Sequence, residues 1–411
     1  MKILILAGTG AMGAHLANIL AAENDVYITS RQKHNNENHI YYLQGDAHDS
    51  GFLEEVLKSR HWDALVDFLV YTSDEFRGRV DKLLESTNQY LFLSSSRVYA
   101  NQYEKLVEES PRLLDVCKDQ AFLDSDDYPI TKARQENILF DANKQNWTII
   151  RPYITFSEQR LQLGVYEKEY WLYRALEDKT IVFSKELLKR KTTLTYGYDV
   201  ALGIAKLIGN KKAYGEAFHI TGTEVFTWER ILEIYANTIK KVTGNEPGIY
   251  FSQDLSTVYY SIGSVWPIDY DRAYDREFDN SKFLDAVGHH FKFQNAEKKL
   301  QECLCEFLSK KDGFKEIPWG AHAYFDRITK EHTPLYNIPG RKNKLLYLTY
   351  RYTNLYKSLL IKSQALFENF CEVILWHNSK TASSAGQKES RNRRNDYSFC
   401  SRLRRCAFTL P

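Results

Sequence analysis

The 411-residue chain has no apolar run near the roughly 18–20 residues of a membrane-spanning helix. Its first apolar stretch, Ile3 to Ala7, stops at Gly8, too short for the core of a secretion signal even with Lys2 in front. These absences predict a cytoplasmic protein. Cysteine is scarce: Cys117, Cys303, Cys305, Cys371, Cys400 and Cys406 include no CxxC pair and no zinc-finger spacing, so neither a disulfide framework nor a metal site is expected. Charge of either sign is not in excess, with 55 Lys+Arg against 53 Asp+Glu. At 43% hydrophobic residues, whole-chain disorder is excluded.

That balance conceals an asymmetry. Residues 341–411 hold 14 Lys+Arg and 4 Asp+Glu, so a basic tail follows an acidic body. An acidic body speaks against nonspecific nucleic-acid binding by the main domain, whereas the tail suits an anionic membrane or an acidic partner.

The stretch Lys2 to Ala7 reads as a strand, Gly8 to Gly13 as a turn, and the spacing of Leu16, Ile19 and Leu20 as a helix. Strands follow at Val26–Ser30, Ile40–Leu43, Ala64–Val70, Tyr90–Ser94 and Trp147–Arg151, separated by helices at Phe52–Lys58, Arg77–Glu85 and Tyr128–Lys144. Such alternation predicts an α/β fold, a Rossmann-type doubly wound parallel sheet. The expected organisation is a dinucleotide-binding domain over 1–155, with later segments returning to it, and a smaller α/β substrate domain over 156–315. A helical extension is expected over 316–377 and a disordered basic tail over 378–411. Leu348, Tyr352, Leu355 and Leu359 form an apolar stripe in that extension, suited to a surface anchor or to packing on the body.

Between strand and helix, Gly8-Thr9-Gly10-Ala11-Met12-Gly13 fits G-x-G-x-x-G, in which glycines let backbone N–H groups approach a pyrophosphate. At the end of the second strand, Thr29-Ser30 leads to Arg31 where an NAD site commonly places an acid. A guanidinium there suits a 2′-phosphate, so NADP(H) is favoured and NAD(H) stays open. Tyr128 precedes Lys132 by one helical turn, placing phenol and ammonium on one face. Ser95, within Ser94-Ser95-Ser96-Arg97-Val98-Tyr99, lies at a neighbouring strand end, where its hydroxyl can bind the same substrate oxygen.

On these residues the chain resembles the extended short-chain dehydrogenase/reductase family, the NAD(P)-dependent epimerases, dehydratases and reductases, over about residues 1–310. Further matches are Glu136, Arg151-Pro152, Tyr198-Asp199-Val200-Ala201 and Asp279-Asn280-Ser281-Lys282. The resemblance implies a nucleotide-sugar substrate, Tyr128 as acid/base, Lys132 tuning it and holding the cofactor ribose, Ser95 orienting the substrate, and Asp46 beside the adenine. It leaves room for a homodimer.

Several positions depart from the family pattern. Ser96 and Arg97 stand where the family's dehydratases carry an Asp-Glu pair, which disfavours water elimination and leaves epimerisation or carbonyl reduction. Ala7 replaces the first glycine of the extended G-x-x-G-x-x-G pattern, and Val70-Tyr71-Thr72-Ser73 replaces a small, Ala-rich turn. A non-catalytic NAD(P)-sensing or RNA-associated binding protein on the same scaffold is the competing expectation. Arg160 and Arg174 are candidates for a diphosphate, and Tyr166, Tyr170, Trp171 and Tyr173 for stacking or packing. His289-His290, read as having no carboxylate at ligand spacing, is expected to be solvated, and Cys303 and Cys305 to be partly buried thiols.

Overall fold

The first apolar run becomes an interior strand of a seven-stranded sheet, buried on both faces by helices. The computed structural model describes residues 1–310 and 313–354. The sheet strands are β1 (Lys2–Leu6), β2 (Asp25–Ser30), β3 (Ile40–Gln44), β4 (Ala64–Asp67), β5 (Tyr90–Leu93), β6 (Trp147–Arg151) and β7 (Glu216–His219). Their order is β7-β6-β5-β4-β1-β2-β3, and every pairing is parallel. Ile3 lies between Val26 and Ala64 in register. The winding direction reverses between β1 and β4, which opens a crevice beyond their carboxyl ends, the usual ligand position of such sheets.

Side chains alternate across β1. Ile3 and Ile5 pack with Leu16, Val200 and Ile204, from α1 (Ala11–Ala21) on one side and from Gly197–Leu207 returning to it. Leu4 and Leu6 pack on the other face with Trp62, Tyr90, Phe92 and Leu139, the last from α2 (Tyr128–Phe140). A separate core around Trp171, Trp228, Tyr235, Leu300, Leu304 and Phe325 fills the later part of the chain. It draws on α3 (Lys168–Leu176), α4 (Trp228–Thr243), α5 (Ala296–Lys310) and α6 (Trp319–Thr329).

Three elements differ from the sequence expectation. β4 ends at Asp67, not Val70, because the Asp67 carboxylate accepts from the Leu69 amide at 2.9 Å and turns the chain out of the sheet. The helix expected over Arg77–Glu85 is split into Ser73–Arg77 and Val80–Glu85 around Gly78. α2 stops at Phe140, where the Asp141 amide closes the last turn and a polar run follows.

A C-terminal helix, α7 (Arg341–Tyr352), packs against α6 through Tyr347, fully buried beside Trp319, Ala323 and Ile338. The described part of the apolar stripe is not its packed face: Leu348 and Tyr352 are exposed, as is Leu345 beside them. Leu355, Leu359 and the basic tail lie outside the described residues. Among the described residues, no helix is long and apolar enough to cross a membrane.

Candidate active site

The glycine loop closes β1 onto α1. A Cβ on Gly13 would lie 2.4 Å from the Gly8 carbonyl oxygen, and one on Gly8 would strike Ile5 at 2.6 Å, so both glycines are demanded by close packing. Gly10 has nothing within 4 Å of its Cβ direction. It caps α1 without any side-chain acceptor, and the first turn holds no acid, so the helix N-terminus presents its N–H groups and partial positive charge to an open space. These features fit a pyrophosphate. Ala7, at the family's first glycine, has φ +54°, a left-handed conformation that costs an L-residue about 1–2 kcal/mol. Its amide is held by the Thr29 hydroxyl at 3.0 Å.

Arg31 and Asp46 are both exposed, at the ends of β2 and β3, on the same side of the sheet as the loop. The Asp46 carboxylate accepts from the His48 amide at 3.0 Å.

Ser95 precedes the short 3-10 turn Ser96–Val98 and accepts from the Arg97 amide at 3.2 Å. Its hydroxyl lies near enough to the Tyr128 phenol to favour the phenolate. Burial pushes the phenol pKa up, opposed by Arg97, Arg160 and then Ser95. Lys132 is one turn along α2; its Nζ donates to the Leu93 carbonyl at 2.8 Å and lies 5.9 Å from the Tyr128 ring centroid. Burial brings the ammonium down to about 8 against the opposing fields of Asp67 and Glu136. The three predicted groups therefore converge, but the cations that lower the phenol's pKa are Arg97 and Arg160. The Arg97 guanidinium stands 5.4 Å from the Tyr128 ring centroid.

Other family-matched residues brace this cleft from behind. Glu136 accepts from Ser94 at 2.6 Å and from Arg151 and Arg112; burial alone would raise its pKa, but these partners hold it below the usual range. Arg151 also donates to the Tyr99 hydroxyl, which meets His219 Nε2 at 2.7 Å. Asp199 accepts from the Gln294 amide, and Asn280 bonds both the amide and the carbonyl of Thr221. Tyr71 from the unusual turn after β4 and Tyr90 from β5 both donate their hydroxyls to Asp67, each at 2.8 Å. Burial raises the Asp67 pKa.

Sequence reasoning missed Asp271, Arg272 and Arg276. The Asp271 carboxylate is fully buried, accepts from Tyr153 at 3.1 Å, and is met by Arg272, by Arg276 Nε at 3.3 Å and by Arg97 Nε at 3.2 Å. The run Asp269-Tyr270-Asp271-Arg272-Ala273-Tyr274-Asp275-Arg276 alternates charge and aromatics, the only sequence signal for it.

Some expectations are corrected. Arg174 is fully buried and committed to Asp326 at 2.8 Å and Glu331 at 2.5 Å, so it is not a diphosphate ligand. Arg160 pairs with Glu167 at the cleft. His289 does have a carboxylate at helical spacing, Asp285 at 2.8 Å, though both are exposed and no metal-holding cluster exists among the described residues. Cys305 is half-buried, as expected, whereas Cys303 is buried in the core. Trp171 stacks on Tyr235 at 4.4 Å and Tyr173 packs edge-on against Trp319, so these rings are core.

No family model matches the chain. A curated relative, the chloroplast stem-loop binding protein of 41 kDa b of Arabidopsis thaliana, is 25% identical over 254 residues, covering 57% of this chain and 62% of that protein. The match thus spans about three fifths of the relative's length. Among solved structures, UDP-glucuronic acid 4-epimerase from Bacillus cereus, in complex with UDP-glucuronic acid and NAD, is 18% identical with a TM-score of 0.55, covering 76% of this chain and 100% of its own. dTDP-glucose 4,6-dehydratase from Bacillus anthracis, in complex with NAD, is 16% identical with a TM-score of 0.56, covering 76% and 97%. A short-chain dehydrogenase/reductase superfamily protein from Agrobacterium tumefaciens with bound NAD is 14% identical with a TM-score of 0.57, covering 76% and 98%. At these identities the structural likeness shows the fold.

Proposed function

We propose that this chain, which has the fold of the NAD-dependent epimerases and dehydratases of the short-chain dehydrogenase/reductase superfamily, is itself a nicotinamide-dependent epimerase or reductase of a nucleotide-linked sugar. The observation that carries the reading is the meeting of Ser95, Tyr128 and Lys132 beside a helix N-terminus left open for a pyrophosphate. The solved relatives with NAD and with UDP-glucuronic acid support the same class.

The nicotinamide, when bound, supplies the hydride donor and acceptor. The chain's own residues handle the proton. Tyr128 exchanges it with the oxygen on the reacting sugar carbon, and Ser95 holds that oxygen. Lys132, anchored on Leu93, offers its remaining donors to the ribose. Arg97 and Arg160 favour the phenolate, lowering the cost of taking the proton away. Arg31 favours NADP(H) through its 2′-phosphate, and a nicotinamide cofactor of either kind serves the chemistry.

Tyr128→Phe tests the assignment. It should retain folding and cofactor affinity while turnover of a matched nucleotide sugar falls by about two to four orders of magnitude. Near-normal turnover would remove Tyr128 from the acid/base role, whereas a wild type that turns over no nucleotide sugar would favour the second reading, an RNA-associated protein, which the curated stem-loop binding relative supports. Filter binding of stem-loop RNA then separates the two.

A further inference from the structure

The cleft beside Tyr128 holds more positive charge than its own carboxylates neutralise. Arg97, Arg160, Arg272 and Arg276 are set against Asp271, Glu167 and Asp127, the last in the field of Arg97. Most of these cations are already committed. Arg276 spends its nitrogens on Asp271 and on the Tyr99 and Ala100 carbonyls, Arg272 binds Asp271 and the Gly164 carbonyl, and Arg160 is tied to Glu167 and Thr155.

Arg97 is different. Its Nε lies near Asp271 without hydrogen-bond geometry, and among the described residues its two terminal nitrogens meet no acceptor. The side chain is 20% exposed, so a ligand can reach it from the cleft. A guanidinium with a free pair of terminal donors is shaped for two oxygens of one oxyanion. Nε is the atom buried without a partner, while the terminal nitrogens open on the cleft, where a charged acceptor makes a stronger hydrogen bond than a neutral one.

Position decides which oxyanion. Arg97 faces the Tyr128 ring itself, so the anion sits close to the oxygen that Tyr128 serves. For reaction at C4, a diphosphate hangs from the anomeric carbon on the far side of the sugar ring. A hexuronate instead carries its carboxylate on C5, next to C4. We propose, resting on the nucleotide-sugar reading above with C4 as the reacting carbon, that Arg97 is a specificity-determining residue that takes the carboxylate of a sugar acid, making the substrate a nucleotide-linked hexuronate.

Calorimetric titration of the NAD-saturated protein with UDP-glucuronate, UDP-glucose and free glucuronate tests this. The wild type should bind UDP-glucuronate about tenfold or more tighter than UDP-glucose. Arg97→Gln should erase that ratio by weakening the acid alone, and Arg97→Lys should restore part of it. No preference in the wild type, or an equal fall for both nucleotide sugars in Arg97→Gln, overturns the proposal and assigns Arg97 to the diphosphate or to the scaffold. Should Arg97→Gln fail to fold, the wild-type ratio and the Lys variant decide. Binding of glucuronate in an Arg97-dependent way, with neither nucleotide sugar bound, would remove the nucleotide-sugar reading and leave the carboxylate subsite standing. Failure of all three ligands removes both.

Discussion

Arg151 grips Glu136 with two hydrogen bonds, Nε to Oε1 at 2.8 Å and Nη2 to Oε2 at 2.9 Å, with neither side chain more than 3% exposed. A pair so deeply desolvated tolerates removal of both partners better than of one. Glu136→Ala should cost about 3–5 kcal/mol in urea unfolding. Glu136→Leu combined with Arg151→Met should cost less than the two single changes added together. Additive losses would show that the two residues act independently.

Ala7 is strained where the family places glycine. Ala7→Gly should raise the unfolding free energy by about 1 kcal/mol, the left-handed penalty less the extra chain entropy of glycine, while cofactor affinity is retained. Denaturant titration with and without cofactor checks both halves; a destabilised variant would mean that the Ala7 methyl packs usefully.

His219 is held neutral. Its Nδ1 meets the Asp279 carbonyl and its Nε2 the Tyr99 hydroxyl, and burial lowers its pKa to about 4. The folded value lies below the ordinary 6.5, so the stabilisation is present above pH 6.5 and is lost as the pH falls toward 4, where only the unfolded chain is protonated. Between pH 7.5 and 5 this one residue should remove about 2 kcal/mol. His322, brought down to about 3 mainly by burial, acts in the same direction. Unfolding of His219→Gln at the two pH values should show a correspondingly smaller drop than the wild type.

Arg31 offers its charge at the end of β2. We expect the protein to bind NADP(H) more tightly than NAD(H) in calorimetry, and Arg31→Ala to cancel the difference. Equal affinities in the wild type would show a guanidinium directed into solvent.

What the sequence revealed follows from how local each pattern is. Gly8, Gly10 and Gly13 lie on one turn, and Tyr128 and Lys132 on one helical face, so spacing alone places them. The β-α alternation likewise marked six of the seven sheet strands; β7 was missed because it joins the sheet only after a long excursion from β6. Arg97 was visible only as a departure from a motif, since its meaning depends on Asp271, which lies 174 residues later in the chain. Arg174 looked available for a ligand because nothing near it in sequence hints at Asp326. Asp285 could have been seen, four residues before His289 on the helical spacing applied elsewhere.

The tie among Arg174, Lys179, Asp326 and Tyr347 bears on how the chain is made. Asp326 accepts from Arg174 and Lys179, 152 and 147 residues earlier, and from the Tyr347 hydroxyl at 2.7 Å. During synthesis the ribosome releases Arg174 long before either acid or phenol exists, so the half built on α3 waits with unmatched charge and uncovered aromatic surface. The strands up to β6 can begin pairing meanwhile, because β1 to β6 are complete by residue 151. Biogenesis is thus set to proceed sheet first. The later half is the interval in which a nascent-chain chaperone has most to protect.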